Sequence, residues 1–205
     1  MKSSLQDLVR LIIGLFLYAL GMVMGYEAQV GYAPWEVFHV GLSKVTGVSI
    51  GTASILVGFL VLVFTIYKKE PLGIGSFLNM FLIGIFFDLI LATGLIARAS
   101  SLAISGIYVV LAMIIISFAT YYYVGAGFGA GPRDSLIFYL HKRFKISVGV
   151  ARRIIEVLVT LIGYFMGGMI GLGTLIFALV TGYIMDYTFK LLGFDPKAVQ
   201  HKTII

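Results

Sequence analysis

The sequence predicts an all-α integral membrane protein: six transmembrane helices in two inverted three-helix repeats, each with a short interfacial or re-entrant helix. Three observations predict it. The composition is too apolar for a soluble fold, with 60% of 205 residues hydrophobic and 12% charged, against about 25% charged in a soluble domain. The apolar residues fall in runs of about 20, the length that crosses a hydrocarbon core. A pattern of Gly, Pro and acidic positions recurs at a fixed offset of 98 with no gap, the mark of a duplicated unit.

The repeat is clearest in one short stretch. Gly31-Tyr-Ala-Pro34-Trp35-Glu36 returns as Gly129-Ala-Gly131-Pro132-Arg133-Asp134. The same shift pairs Ser49 with Ser147, Gly51 with Gly149, Ala53 with Ala151, and Gly73 with Gly171. It also pairs Gly75 with Gly173, Gly84 with Gly182, and Asp88 with Asp186. Chance matching in a greasy chain would fall on Leu and Ile instead.

The first span runs from Leu11 to Val30, with Glu27 near its far end. No small-x-small site closes it, so it reads as a span and not a signal peptide. Pro34 breaks the helix and suits the first turn of a new one. Trp35 to Lys44 is too short to cross, and Val37, Phe38, Leu42 and Val45 can share one face. Val48 to Tyr67 is the second span and Leu72 to Ala97, with Asn79 and Asp88 inside, the third. This makes residues 1–98 the first repeat. In the second, 99–205, the spans are Leu102 to Gly125, Val148 to Met169 and Leu175 to Leu192, with Arg133 to Lys145 as the short amphipathic segment. Gly167, Gly168, Gly171 and Gly173 make a tight apolar hairpin, and a polar tail ends at Ile205.

Lys and Arg set orientation. With the N-terminus inside, 13 basic residues lie on the inner side, and Lys44 and Arg98 lie outside. Both termini are therefore expected in the cytoplasm. Three spans is an odd number, so the second repeat enters the membrane upside down. Inverted repeats are the usual build of secondary transporters, with a site between the repeats near the midplane, and channels share the symmetry.

The net charge of +6 then speaks for orientation and anionic lipid, not for nucleic acid. With no cysteine there are no disulfides or thiolate metal sites. No Walker loop, His-Glu-x-x-His or Gly-x-Ser-x-Gly occurs, and His39, His141 and His201 do not cluster. No enzyme, cofactor or metal site is expected.

The candidate substrate-binding residues are Gly31, Pro34, Trp35, Glu36, Asn79, Gly129, Gly131, Pro132, Arg133, Asp134 and Glu156. Irregular backbone at membrane depth survives only when buried in protein or facing a wet cavity. A helix begun at Pro34 or Pro132 offers a positive dipole end that favours an anion. Gly131 is expected to need a positive φ or to let backbone approach a ligand. The plainer readings are that Glu36 and Asp134 satisfy the N–H groups of their own helices, and that Trp35 is an interfacial anchor. Arg152 and Arg153 are placed to neutralise Glu156 within one helix. Asp88 and Asp186 sit near span ends, where they can reach headgroups. Gly14, Gly21 and Gly25, like Gly163 and Gly167, have the spacing of close helix packing.

Gly-x-Gly-Pro-Arg-Asp at 129–134, its twin at 31–36, Ser49-x-Gly51 and Gly171-x-Gly173-Thr174 resemble the bacterial YczE/YitT-type membrane proteins over roughly residues 8–190. The first copy departs from their pattern, with Ala33 where Gly is usual and Glu36 where Asp is usual. The resemblance implies a multi-pass protein of the bacterial plasma membrane and little about substrate.

The expected function is movement of a small solute, by a secondary or facilitative transporter. A channel, or a scaffold binding protein or lipid through its basic face, is the alternative. Arg133, Arg152 and Arg153 against Asp134 and Glu156 leave +1 at the inner mouth, which favours an anionic or zwitterionic solute. A homo-oligomer is compatible with the sequence.

Overall fold

The computed structural model describes residues 2–129, 131–199 and 202. Ala130 of the second turn, His201 and Ile205 lie outside the described residues. Eight α-helices make up the described chain: α1 Lys2–Glu27, α2 Pro34–Thr46, α3 Ile50–Tyr67, α4 Ile74–Thr93, α5 Leu102–Gly125, α6 Pro132–Phe144, α7 Val148–Phe165 and α8 Leu172–Leu191. Five of them, α1, α3, α4, α5 and α8, are long and apolar enough to cross a membrane. The first begins before Leu11 and ends before Val30, and the sixth expected span is a shorter helix, α7. Its 18 residues include Arg152, Arg153 and Glu156, so length and composition alone do not mark it as a span.

α1 and α5 are the central pair. α1 buries Leu11, Leu15, Ala19, Met22 and Val23, a stripe of helical period. Its Gly14 and Gly21 lie against the α5 backbone at Ala119, Tyr123 and Ala112, so the spacing read as close packing is just that. Arg10 donates to the carbonyls of Tyr121 and Gly125 at the α5 C-terminus, at 3.3 and 3.2 Å, which complements the negative end of that helix.

The remaining helices pack in matching pairs. α4 lies on α1 and α8 on α5; α2 lies on α7 and α6 on α3; α2 meets α3 and α6 meets α7. Individual bonds match at the same offset of 98. The Gly75 N–H donates to Phe128 O and the Gly173 N–H to Val30 O, both at 2.8 Å. Gly31 and Gly129 have φ of +107° and +111°, a region in which glycine alone is unstrained. Ser49 and Ser147 both cap the helix that follows them. One pair breaks the match: α3 packs along α4, whereas α7 and α8 form no such seam.

Candidate functional site

Each proline sits at the first position of its helix, where its missing N–H costs nothing. Pro34 and Pro132 are both buried, and neither N-cap residue, Ala33 or Gly131, has a side chain that caps its own helix. α2 runs beside the second half of α7. Its start faces Arg152 and Glu156 across a shared cavity, and Lys44 in its last turn donates to Gly167 O at 2.8 Å, just past the α7 end. α6 runs beside α3 in the same sense, from Arg133 near Ser54 to Lys142, which pairs with Glu70 at 2.8 Å. The two Pro-started helices thus begin in the interior, and their starts meet.

They meet through side chains. The Arg133 guanidinium carbon lies 4.6 Å from the centre of the Trp35 ring, a cation–π contact. One Arg133 nitrogen also reaches His39 Nε2 at 3.1 Å and Ser54 Oγ at 3.3 Å. A guanidinium only donates, so His39 Nε2 accepts and its proton sits on Nδ1. That Nδ1 is buried without a hydrogen-bond partner among the described residues.

Asp134 accepts from Arg152 at 3.3 Å and from the Tyr123 hydroxyl at 3.4 Å. The same hydroxyl accepts from the Gly131 N–H at 2.7 Å. Arg152 therefore makes its ion pair with Asp134, on another helix, in place of the expected pair with Glu156. Arg153 turns away to Gly149 O at 3.3 Å. Glu36 is 5% exposed and stands in the first turn of α2.

Two adjoining chambers open around these groups. The first, of 120 Å³, is lined by Tyr18, Trp35, Asn79, Tyr123, Gly131, Arg133, Asp134, Arg152 and Glu156, with Ile137. The second, of 210 Å³, shares Tyr18, Trp35, Arg133, Arg152 and Glu156 and extends past Pro34 and Glu36 to Thr181, Gly182 and Met185 of α8. Both fall below the 300–1,000 Å³ typical of drug-sized ligands. Beside the phenols of Tyr18 and Tyr123, their ionisable side chains are two arginines and three carboxyls, because Arg153 is absent and Glu36 is present. Among the described residues no cluster of three His, Asp or Glu is arranged to hold a metal ion.

Of the residues expected in a site, Pro34, Trp35, Glu36, Asn79, Gly131, Arg133, Asp134 and Glu156 line these chambers. Gly31 and Gly129 do not. Gly31 packs under Gly171 and Thr174 at the start of α8, and Gly129 under Gly73 and Ser76 at the start of α4. Pro132 is buried but is not part of the lining. Gly131 is corrected in its conformation: φ is −63°, not positive. Ala33 adopts the same extended geometry at φ −61°, so Ala in place of Gly there brings no backbone strain. Tyr18, Tyr123, His39 and Ser54 join the site without a motif in the sequence, and Arg152 joins it as the partner of Asp134. Tyr18 carries a signal in hindsight, a phenol on the same helical stripe as Leu11, Leu15 and Met22.

Residues 5–190 match the family of unknown function DUF6198. The chain is 34% identical to the uncharacterized membrane protein YczE of Bacillus subtilis, over 85% of this chain and 81% of that one. It is 31% identical to an uncharacterized protein of Haemophilus influenzae, over 81% and 75%, and 24% identical to uncharacterized protein YyaS of B. subtilis, over 84% and 87%. The resemblance seen in the Gly-Pro-Arg-Asp stretch is thereby borne out. No solved structure matches.

Proposed function

We propose that this chain, which belongs to the DUF6198 family, is a secondary or facilitative transporter of a small zwitterionic solute. α1, α3, α4, α5, α7 and α8 are its six spans, in two inverted repeats with both termini in the cytoplasm, and α2 and α6 are re-entrant. The observation that carries this reading is the meeting of Arg133 and Trp35 at 4.6 Å, which brings two helix N-termini together over a polar cavity. Broken backbone and buried charge at such a place are the mark of a transporter's midplane site. The matched bonds at an offset of 98 support the repeat.

α7 supports the sixth span. It turns Arg152 and Glu156 to the cavity, while Val150, Ile154, Val157, Leu158 and Leu161 are exposed. A helix polar toward a cavity and apolar outward fits a span that lines a pathway. Two guanidiniums and three carboxyls in one small space suit a solute that carries both signs, so the zwitterion is favoured over the simple anion. Uptake into proteoliposomes, with thermal-shift screening of matched zwitterions, anions and cations, tests the reading. Stabilisation by cations alone, lost in Glu156→Gln, would reverse the solute class, and an absence of any saturable flux would remove the transporter.

A further inference from the structure

The one seam that breaks the pairing has a chemical cause to change. Between α3 and α4, Gly51 and Gly84 are both buried and meet backbone to backbone: a methyl added to either would strike the other's carbonyl oxygen. The Asp88 carboxylate ties this seam. It accepts from Ser49 Oγ at 2.5 Å and from the Gly51 N–H at 2.8 Å. At the offset of 98 the second half carries the same set: Ser147, Gly149, Gly182 and Asp186. There the set is apart. Gly149 and Gly182 are exposed; Gly182 has nothing within 4 Å of an added methyl, and Gly149 has only an Arg153 nitrogen at 4.0 Å. Into this gap runs the larger chamber, past Thr181, Gly182 and Met185 on α8 and Arg152 and Glu156 on α7.

We propose that Asp88 and Asp186 are alternating latches. In a second conformation the α7–α8 seam closes, with Asp186 accepting from Ser147 Oγ and the Gly149 N–H and with Gly149 against Gly182. The α3–α4 seam opens in exchange, and the cavity changes sides. The closed seam is the template for the open one because the same four residue types stand at the same spacing in both. Neither glycine packs against another helix in the conformation seen, and Asp186 stands four residues beyond Gly182 as Asp88, which makes the bond, stands beyond Gly84. This rests on the reading of the cavity as a transported solute's site. With the termini in the cytoplasm, the conformation described is the inward-facing one, since the Ser147 end of α7 lies on the cytoplasmic side.

The natural chain has no cysteine, so paired thiols report the seams directly. Ser49→Cys/Asp88→Cys and Ser147→Cys/Asp186→Cys are made in the full chain, reconstituted in proteoliposomes and oxidised with copper phenanthroline. Free thiols are counted by gel shift with a maleimide polymer. The first pair should form its disulfide readily, and the second should form too, severalfold more slowly. A chain with all four cysteines should form one disulfide or the other, at least tenfold more often than both. If only the first pair ever closes, or if both close together in one molecule, the alternation is wrong. Should a paired variant fail to fold, Gly182→Cys alone is labelled with a water-soluble maleimide. Adding Asp88→Asn releases the opposite latch and should slow that labelling severalfold; an unchanged rate would overturn the proposal. The outcomes are separable from the transport reading, because alternation without uptake would remove the solute and leave the latches.

Discussion

Arg133 lies over the face of Trp35, its guanidinium carbon 4.6 Å from the ring centre, and these are the two residues that follow the repeated prolines. The contact therefore joins equivalent positions of the two halves across the middle of the molecule. Lysine in place of Arg133 keeps the charge but not the flat fork that spans His39, Ser54 and the ring. Arg133→Lys should fold with a Tm within a few degrees and bind the stabilising zwitterion about tenfold more weakly, a loss of about 1.4 kcal/mol. Thermal-shift titration reads both numbers.

Two equivalent glycines should respond differently to one methyl group. Gly51→Ala strikes the carbonyl of Gly84, and overpacking of this kind costs about 1–3 kcal/mol. Gly149→Ala enters open space and should change stability by less than about 1 kcal/mol, in the favourable direction that helix propensity gives. Chemical or thermal unfolding in detergent compares them.

Lys142 and Lys44 occupy matching positions but hold unlike partners. Lys142 pairs with Glu70, whose side chain is 8% exposed, so Lys142→Ala leaves a buried carboxylate alone and should cost about 1–3 kcal/mol. Lys44 holds only the carbonyl of Gly167 at an exposed site, and Lys44→Ala should cost less than about 1 kcal/mol. A difference of several degrees in Tm is expected.

The lopsided distribution of Lys and Arg predicts a topology. Arg98→Cys should react with an impermeant reagent added outside intact cells, and Lys69→Cys should react only after permeabilisation. Labelling of Lys69→Cys from outside would undo the inverted arrangement.

Much of the architecture was legible because the lipid constraint is severe and glycine is expensive to misplace. The helices, the two Pro-started segments and the apolar hairpin all came from runs of apolar residues broken by Gly and Pro. α7 was harder to class, because the three charges that make it poor by composition are what gives it a polar inner face. The site was legible where backbone chemistry marks it, at Pro34, Trp35, Arg133 and Asp134. It was not legible where side chains converge from afar: Tyr18, His39, Ser54 and Tyr123 look ordinary in their own segments. The charge balance shifted for the same reason, since helical spacing could not say that Arg153 faces away while Glu36 faces in.

The paired bonds of Gly75 to Phe128 and Gly173 to Val30 have a consequence for biogenesis. Each half's turn is clasped by the last helix of the other half, so neither can be finished alone. A ribosome that has inserted only residues 1–98 has made a segment whose Val30 carbonyl still waits for a glycine some 140 residues downstream. Until α8 arrives, that early turn lacks the partner it has in the finished fold. Completion is therefore expected late, and truncated chains should be cleared from the membrane rather than accumulate as half-built modules.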